Sequence, residues 1–343
     1  MTEDSLLNES EEGEDLYEHF KFVVDKGQEI VRIDKYLLDR MPNTSRNKIQ
    51  IAARNGNVVV NGIKVKQNYK VKPKDEVAIV LPYPIREIEL IPQNIPLDIV
   101  YEDEDVIIVN KASNMVVHPG YGNYSGTLVN ALIYHFDQLG NTKTGELRPG
   151  LVHRIDKHTT GILVVAKNDE ALSNLAQQFY ERATERKYIA LVWGDLESDG
   201  TITGNLGRSP KNRKVMTVFA DGSDGKHAVT HYKVLKRFGY VTLVECKLET
   251  GRTHQIRVHM KHIGHPLFND LEYGGDQILK GTTGSSYIKF IQNCFSLIDG
   301  QALHAKSLGF LHPKTKDWIH FEAELPIGFK TILQKWESYI GEK

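Results

Sequence analysis

A single aspartate stands between a run of basic and hydroxyl side chains and a strongly apolar segment. Residues 148–167 read Arg-Pro-Gly-Leu-Val-His-Arg-Ile-Asp-Lys-His-Thr-Thr-Gly-Ile-Leu-Val-Val-Ala-Lys, and the aspartate is Asp156. Burial beside an apolar strand raises the pKa of a carboxyl group unless a cation lies next to it. A carboxylate placed there costs stability and is useful in catalysis. The alternative is structural: Asp156 caps the polar turn at 157–161.

Three other kinds of site fit the sequence less well. His259, His262 and His265 are regularly spaced, but the Glu of a His-Glu-x-x-His zinc motif and a neighbouring Cys are absent, so no metal is expected. In the catalytic loop of kinases the Asp follows Arg directly, whereas Ile155 intervenes here and no Gly-rich loop precedes it. A glycoside hydrolase uses two catalytic carboxylates, and the sequence marks only one.

The net charge of −1 hides two oppositely charged segments. Residues 1–20 contain eight acidic residues and no Lys or Arg, whereas residues 32–74 contain eleven basic residues and two acidic ones. The basic segment indicates a polyanionic partner. Two cysteines cannot build a disulfide framework, and neither an apolar run long enough for a membrane helix nor a secretory signal is evident, so a cytoplasmic protein is expected.

The basic segment has the pattern of two short helices followed by a hairpin. Thr44 or Ser45 can cap the second helix, and the Asn-Gly pair at 61–62 suits a type I′ turn. The pattern resembles the S4 RNA-binding domain over about residues 30–78. The basic face of its second helix, with Arg46, Lys48 and Arg54, is expected to bind RNA, and a solvated face without a ligand is the alternative.

The remaining chain is predicted to form mainly strands. Strands are predicted at 106–109, 162–166, 188–193, 214–219, 228–235 and 240–248, and helices at 168–179 and 254–263. Consecutive strands around 214–248 favour antiparallel pairing, hence an α+β fold. The predicted domain limits are a disordered acidic tail at 1–15, an S4-like domain at 16–80, a Pro-containing linker at 81–96, a catalytic domain at 97–330 and a C-terminal tail helix at 331–343.

Several ordered motifs in this second part resemble those of the RluA-type pseudouridine synthases. The central motif is His153-Arg154-Ile155-Asp156 followed by Thr159-Thr160-Gly161, with Ile where the family has Leu. The other matches are Val109-Asn110-Lys111, Val116-Val117-His118-Pro119-Gly120, Lys187-Tyr188-Ile189-Ala190-Leu191-Val192, the run Thr250-Gly251-Arg252-Thr253-His254-Gln255-Ile256-Arg257-Val258-His259, Ala302-Leu303-His304-Ala305 and Leu325-Pro326. The implied fold is a mainly antiparallel mixed sheet with flanking helices, preceded by a small α/β S4 domain.

The resemblance implies the conversion of uridine to pseudouridine without a cofactor. In that reaction the C1′–N1 bond breaks, the uracil turns, and C1′ joins C5. The resemblance makes Asp156 the catalytic carboxylate, which acts as a nucleophile or promotes elimination to a glycal. It assigns Tyr188 to stacking on the target base and to helping remove the C5 proton, with an ordinary strand aromatic as the alternative. It also assigns Arg257 to pairing with Asp156. The resemblance implies that Arg154 fills the space left by the flipped uridine, with a phosphate contact or surface ion pair as the alternative.

The same motifs place further residues near the RNA. His153, Thr160, Arg252 and His254 are expected to contact it, although a packing role is the more ordinary one for His153. The substrate expected from the resemblance is large-subunit ribosomal RNA, with tRNA as an alternative. A non-catalytic RNA-binding or ribosome-assembly factor on the same fold is the alternative of another class. No protein partner is evident, and a monomer is expected.

Overall fold

The computed structural model describes residues 17–41, 44–81, 90–120, 122–138, 150–210, 212 and 215–341. The chain divides into two compact units, Met1–Glu87 and Ile88–Lys343. The predicted acidic tail at 1–15 and much of the predicted linker lie outside the described residues. None of the described helices is long and apolar enough to cross a membrane.

The first unit packs two helices on a four-stranded antiparallel sheet. Its elements are β1 (Tyr17–Val23), α1 (Ile33–Leu38), α2 (Arg46–Arg54), β2 (Val58–Val60), β3 (Ile63–Lys64) and β4 (Glu76–Leu81), with strand order β1-β4-β2-β3. The Ser45 hydroxyl accepts a hydrogen bond from the Lys48 amide at 3.4 Å, which confirms the predicted cap. Asn61 and Gly62 have φ of 50° and 79°, as the predicted type I′ turn requires.

The second unit is built on one large mixed sheet. Its strands are β5 (Ile99–Glu102), β6 (Val106–Lys111), β7 (Gly150–Leu151), β8 (Thr160–Ala166), β9 (Glu185–Trp193), β10 (Gly200–Arg208), β11 (Met216–Phe219), β12 (Lys226–Arg237), β13 (Val241–Leu248), β14 (Leu303–Leu311) and β15 (Trp318–Glu322). The order is β11-β10-β12-β13-β9-β14-β8-β6-β5, with β15 on β14 and β7 on β8. β8 and β14 are parallel and the other described pairs are antiparallel, so the predicted α+β class is confirmed.

Five helices flank this sheet within the described residues. They are α3 (Leu128–Gln138), α4 (Asp169–Glu181), α5 (Gln255–His262), α6 (Ser285–Phe295) and α7 (Ile327–Gly341). The sequence predicted α4 and α5 but not α3 or α6. The predicted boundary between 330 and 331 falls inside α7, whose Ile332 and Trp336 are fully buried against the sheet.

The central strand β9 separates two layers of the core. Tyr188, Ala190 and Val192 pack in one hydrophobic cluster with residues of α3 and α5. Leu191 and Trp193 pack in another cluster with residues of α6 and α7. Because side chains alternate along a strand, residues two apart project to the same side. The side of β9 that carries Tyr188 is therefore the side that faces α5, which carries Arg257.

Gly161 joins the central motif to the sheet at a position that excludes a side chain. It has φ of +110° and pairs with Ala305 of the parallel neighbour β14. A Cβ atom at Gly161 would lie 2.2 Å from the Ala305 carbonyl oxygen. The close approach of these two strands therefore depends on glycine.

We expect Gly161→Ala to lower the free energy of unfolding by more than about 3 kcal/mol, because backbone overlap adds to the cost of the positive φ. Gly239→Ala is the matched control, since Gly239 has φ of +79° and no atom lies within 4 Å of the position that a Cβ would take. Urea denaturation of both variants measures the difference. Equal losses of unfolding free energy in the two variants would show that overlap with β14 adds nothing to the cost of Gly161→Ala.

Candidate active site

Asp156 lies in the connection that leads into β8. Its backbone carbonyl accepts a hydrogen bond from the Thr159 amide at 3.1 Å, which closes the turn. Its carboxylate accepts no backbone hydrogen bond within the described part of the chain. Instead the Arg257 Nη1 donates to Asp156 Oδ2 at 3.3 Å, and the side chain is 17% exposed. The geometry therefore favours a carboxylate directed into a site over one that caps the turn.

Arg257 is held by two further carboxylates. Its Nε and Nη2 donate to the two oxygens of Asp270 at 2.7 Å each, and Nη2 also donates to Glu272 at 2.6 Å. The guanidinium lies 4.9 Å from the centroid of the Tyr273 ring. Burial alone would lower the pKa of Arg257, but the three acidic groups raise it above the ordinary value. Arg257 is thus a fixed cation that contacts Asp156 while its closest bonds are to Asp270 and Glu272.

Tyr188 lies on β9 and is 7% exposed. Its phenol makes no hydrogen bond to the described residues. Burial raises the pKa of Tyr188, the charge of Arg186 lowers it, and the charge of Asp156 raises it again. Tyr188 is therefore a neutral phenol on the same side of the sheet as Arg257.

His254 stands between Asp156 and the acidic partners of Arg257. Its Nε2 is 3.9 Å from Asp156 Oδ1, and its Nδ1 is 2.8 Å from the Tyr273 hydroxyl. The residue precedes α5 in a left-handed conformation with φ of 56°. Burial lowers the pKa of His254, although the charge of Asp156 opposes this shift. A neutral imidazole thus borders the site.

Lys111 ties the loop that bears Asp156 to the end of β6. It is 1% exposed, and its Nζ donates to the carbonyl oxygens of Ala112 at 2.7 Å, Met115 at 2.9 Å and Lys157 at 3.0 Å. Burial lowers the pKa of Lys111 to about 7, and the negative charge of Asp156 acts in the opposite direction. The sequence motif contains Lys111 but indicates no role for it, because its acceptors are backbone groups that only the fold brings together.

Two residues expected to contact RNA are directed into the protein. His153 Nε2 accepts a hydrogen bond from the Val164 amide at 3.0 Å, and its ring stacks on Phe179 at 4.6 Å. The Thr160 hydroxyl lies 2.8 Å from His304 Nδ1. These contacts favour the packing role for His153 and give Thr160 an internal partner. Arg154, in contrast, is exposed.

The packing of the half-buried His153 predicts a specific pH dependence of stability. Burial, with the charge of Arg186, lowers its pKa from 6.5 to about 3 in the folded chain. Between these values the unfolded chain binds a proton that the folded chain does not, so stability falls as the pH falls below 6.5. We expect His153→Gln to flatten this fall between pH 6.5 and about 4. Urea denaturation across that range measures it, and parallel curves for the two proteins would contradict the assignment.

The remaining predicted RNA contacts are Arg252 in the second unit and three basic residues of α2 in the first. Arg252 donates through Nε to the His227 carbonyl at 3.3 Å. In the first unit, Arg46 donates to the fully buried Asp34 at 3.1 Å, while Lys48 and Arg54 are exposed. Burial alone would raise the pKa of Asp34, but hydrogen bonds from its neighbours lower it to about 2. Those donors are Arg32, Gln50 and Arg46.

The three regularly spaced histidines do not converge on one point within the described residues. His259 is buried and its Nδ1 lies 2.9 Å from the Thr230 hydroxyl. Asp103, Asp105 and His312 do lie close together elsewhere. The Asp103 carboxylate already makes hydrogen bonds with the Tyr101 hydroxyl, with His312 and with two backbone amides. Hydrogen bonds within the β5–β6 turn, and between that turn and the end of β14, account for the closeness of these three residues.

Comparisons with known proteins agree on one family. Residues 105–262 match the RNA pseudouridylate synthase family and residues 31–77 match the S4 domain. An RNA pseudouridine synthase of Chlorobaculum parvum is 45% identical over 91% of this chain and 96% of its own length. Ribosomal large subunit pseudouridine synthase D of Zymomonas mobilis is 42% identical over 86% and 90%. The structure of human RNA Pseudouridylate Synthase Domain Containing 4 shares the fold, with TM-score 0.55 and 24% identity over 70% of this chain and 92% of that one.

Proposed function

Since the chain belongs to the RNA pseudouridine synthase family, we propose that it isomerises uridines of large-subunit ribosomal RNA with Asp156 as the catalytic carboxylate. The observation that carries the proposal is the contact of Asp156 with Arg257, whose guanidinium is fixed by Asp270. The ribosomal substrate is supported by the relatives named large-subunit synthases.

The reaction needs one well-placed carboxylate and no redox chemistry. Asp156 either attacks C1′ of the ribose or removes the C2′ proton, and both routes begin with the ionised carboxylate. The C1′–N1 bond then breaks, the uracil turns, and C1′ bonds to C5. C5 loses its proton and N1 gains one, so no other atom is gained or lost. Arg257 holds Asp156 in place for these steps because a guanidinium keeps its charge when buried.

Tyr188 and Arg154 have complementary roles in this proposal. The phenol of Tyr188 stays protonated because burial raises its pKa, and its ring offers a flat surface for the uracil. A target uridine has to leave its stack before its ribose can reach Asp156. The exposed Arg154, two residues before Asp156, occupies the space that the flipped nucleotide vacates.

The first unit supplies RNA affinity. Arg46 is oriented by the buried Asp34, and Lys48 and Arg54 are exposed on the same helix α2. Basic side chains of this kind bind phosphates without reading sequence, and such binding weakens with salt. The choice of uridine therefore belongs to the second unit, which carries Asp156.

Pseudouridine mapping tests the substrate. Unmodified large-subunit ribosomal RNA and tRNA are incubated separately with the protein, and RNA from cells that lack it is mapped in parallel. We expect the same large-subunit positions to gain pseudouridine in the test tube and to lack it in those cells. Modification of tRNA alone would overturn the ribosomal substrate. Binding without modification of either RNA would support a non-catalytic factor.

A further inference from the structure

Arg186 is a second buried arginine beside the site, and the reaction as proposed does not use it. It lies on β9 two residues before Tyr188, so both side chains project to the same side of the strand. It is 7% exposed, and its guanidinium lies 5.4 Å from the centroid of the Phe179 ring. A Cβ atom at Gly251 would be 2.9 Å from Arg186 Nη1, which puts the guanidinium against the backbone just before Arg252 and His254.

The charge of Arg186 has no internal counterion among the described residues. Its Nε is buried without a hydrogen-bond partner, and no carboxylate in the described part of the chain forms an ion pair with it. Arg257 differs, because Asp156, Asp270 and Glu272 surround it. Since a buried charge without a partner is costly, the arrangement indicates that Arg186 meets an anion from outside the chain.

We propose that Arg186 binds a backbone phosphate of the RNA next to the uridine being isomerised. The proposal rests on the proposed function, which brings the ribose of that uridine to Asp156. The phosphates on either side of a ribose are the nearest anions that the substrate carries. The guanidinium can offer the N–H groups of its two Nη atoms to oxygens of a phosphate, a geometry that suits arginine better than lysine.

Phe179 and Gly251 position the Arg186 guanidinium for this phosphate. The Phe179 ring is covered by Arg186 and also stacks on His153, so the guanidinium rests on a fixed surface. Gly251 leaves room for it because it has no side chain. Arg186 is a positioning residue: it holds the ribose at Asp156 and takes no part in bond breaking.

Equilibrium binding at several salt concentrations tests the proposal. The RNA is a large-subunit stem-loop that the unmutated protein binds, and the variants are Arg186→Gln, Arg186→Lys and Lys289→Gln. Lys289 is exposed on α6 and gives the same change of net charge. We expect Arg186→Gln to weaken binding about tenfold at low salt and to reduce the salt slope by about 0.7 to 0.9. Arg186→Lys should keep the slope and lose part of the affinity, and Lys289→Gln should match the unmutated protein.

A chemical change in the RNA identifies the phosphate that Arg186 binds. It also separates loss of this contact from loss of binding through misfolding of the variant. Each linkage that flanks the modified uridine is replaced in turn by an uncharged methylphosphonate. For the unmutated protein, one replacement should weaken binding about tenfold, and for Arg186→Gln the same replacement should have no further effect. Unchanged salt slopes, or equal effects of each replacement on both proteins, would overturn the proposal. Binding decides this outcome, so absence of pseudouridine formation would count separately against the proposed function.

Discussion

Asp156→Asn is expected to reduce pseudouridine formation at saturating RNA at least about 10³-fold. The amide has nearly the same shape as the carboxylate and leaves Arg257 bound to Asp270. It carries no negative charge, so it can neither attack C1′ nor accept a proton from the sugar. The loss should appear in kcat, while RNA affinity and thermal stability stay close to those of the unmutated protein.

Single-turnover product formation and RNA binding, measured on the same preparation, check this expectation. Asp317→Asn is the matched control, since Asp317 is exposed in the turn before β15. It should behave as the unmutated protein. Product formation by Asp156→Asn at a rate comparable with that control would contradict a catalytic role for Asp156.

Arg257→Met is expected to have the largest effect on stability. It leaves the fully buried Asp270 without its bidentate partner, and removal of one member of a buried ion pair costs about 3–5 kcal/mol. Replacing both members, in Arg257→Met with Asp270→Asn, should restore much of that loss because the fully buried position 270 then carries no charge. Activity should stay absent in both variants, since neither can orient Asp156.

Urea denaturation of the single and double variants measures the coupling between Arg257 and Asp270. A cost below about 1 kcal/mol for Arg257→Met, in the range of an exposed ion pair, would show that the network is not buried in solution. Recovery of activity in the double variant would show that Arg257 does not act on Asp156.

Local signals predicted several elements because the physical cause lies within a few residues. The Ser45 cap and the turn at Asn61 and Gly62 each depend on one side chain or one backbone conformation. Helix α3 was missed because its residues from Leu128 to Ile133 are all buried, so no polar face marks the helical period. The start of α7 was misplaced although Trp336 packs in the core.

Only those residues of the candidate site that belong to a recognisable sequence motif could be predicted. Asp156, Tyr188 and Arg257 stand in recognisable runs, but the bonds that fix Arg257 come from Asp270 and Glu272, in a loop without regular structure. The sequence indicated one carboxylate, whereas the fold groups three around one guanidinium. Such groupings depend on tertiary contacts that periodicity and spacing do not encode.

The most direct measurement follows the hydrogen at C5 of uridine. Large-subunit ribosomal RNA labelled with tritium at C5 is incubated with the protein or with Asp156→Asn, without added cofactor, and both released tritium and pseudouridine are counted. Formation of pseudouridine replaces the C5–H bond by a C5–C1′ bond. We predict that the unmutated protein releases one tritium for each pseudouridine formed, with no free uracil, and that Asp156→Asn releases none. Equal release by both proteins, or free uracil in place of pseudouridine, would contradict carboxylate-dependent isomerisation.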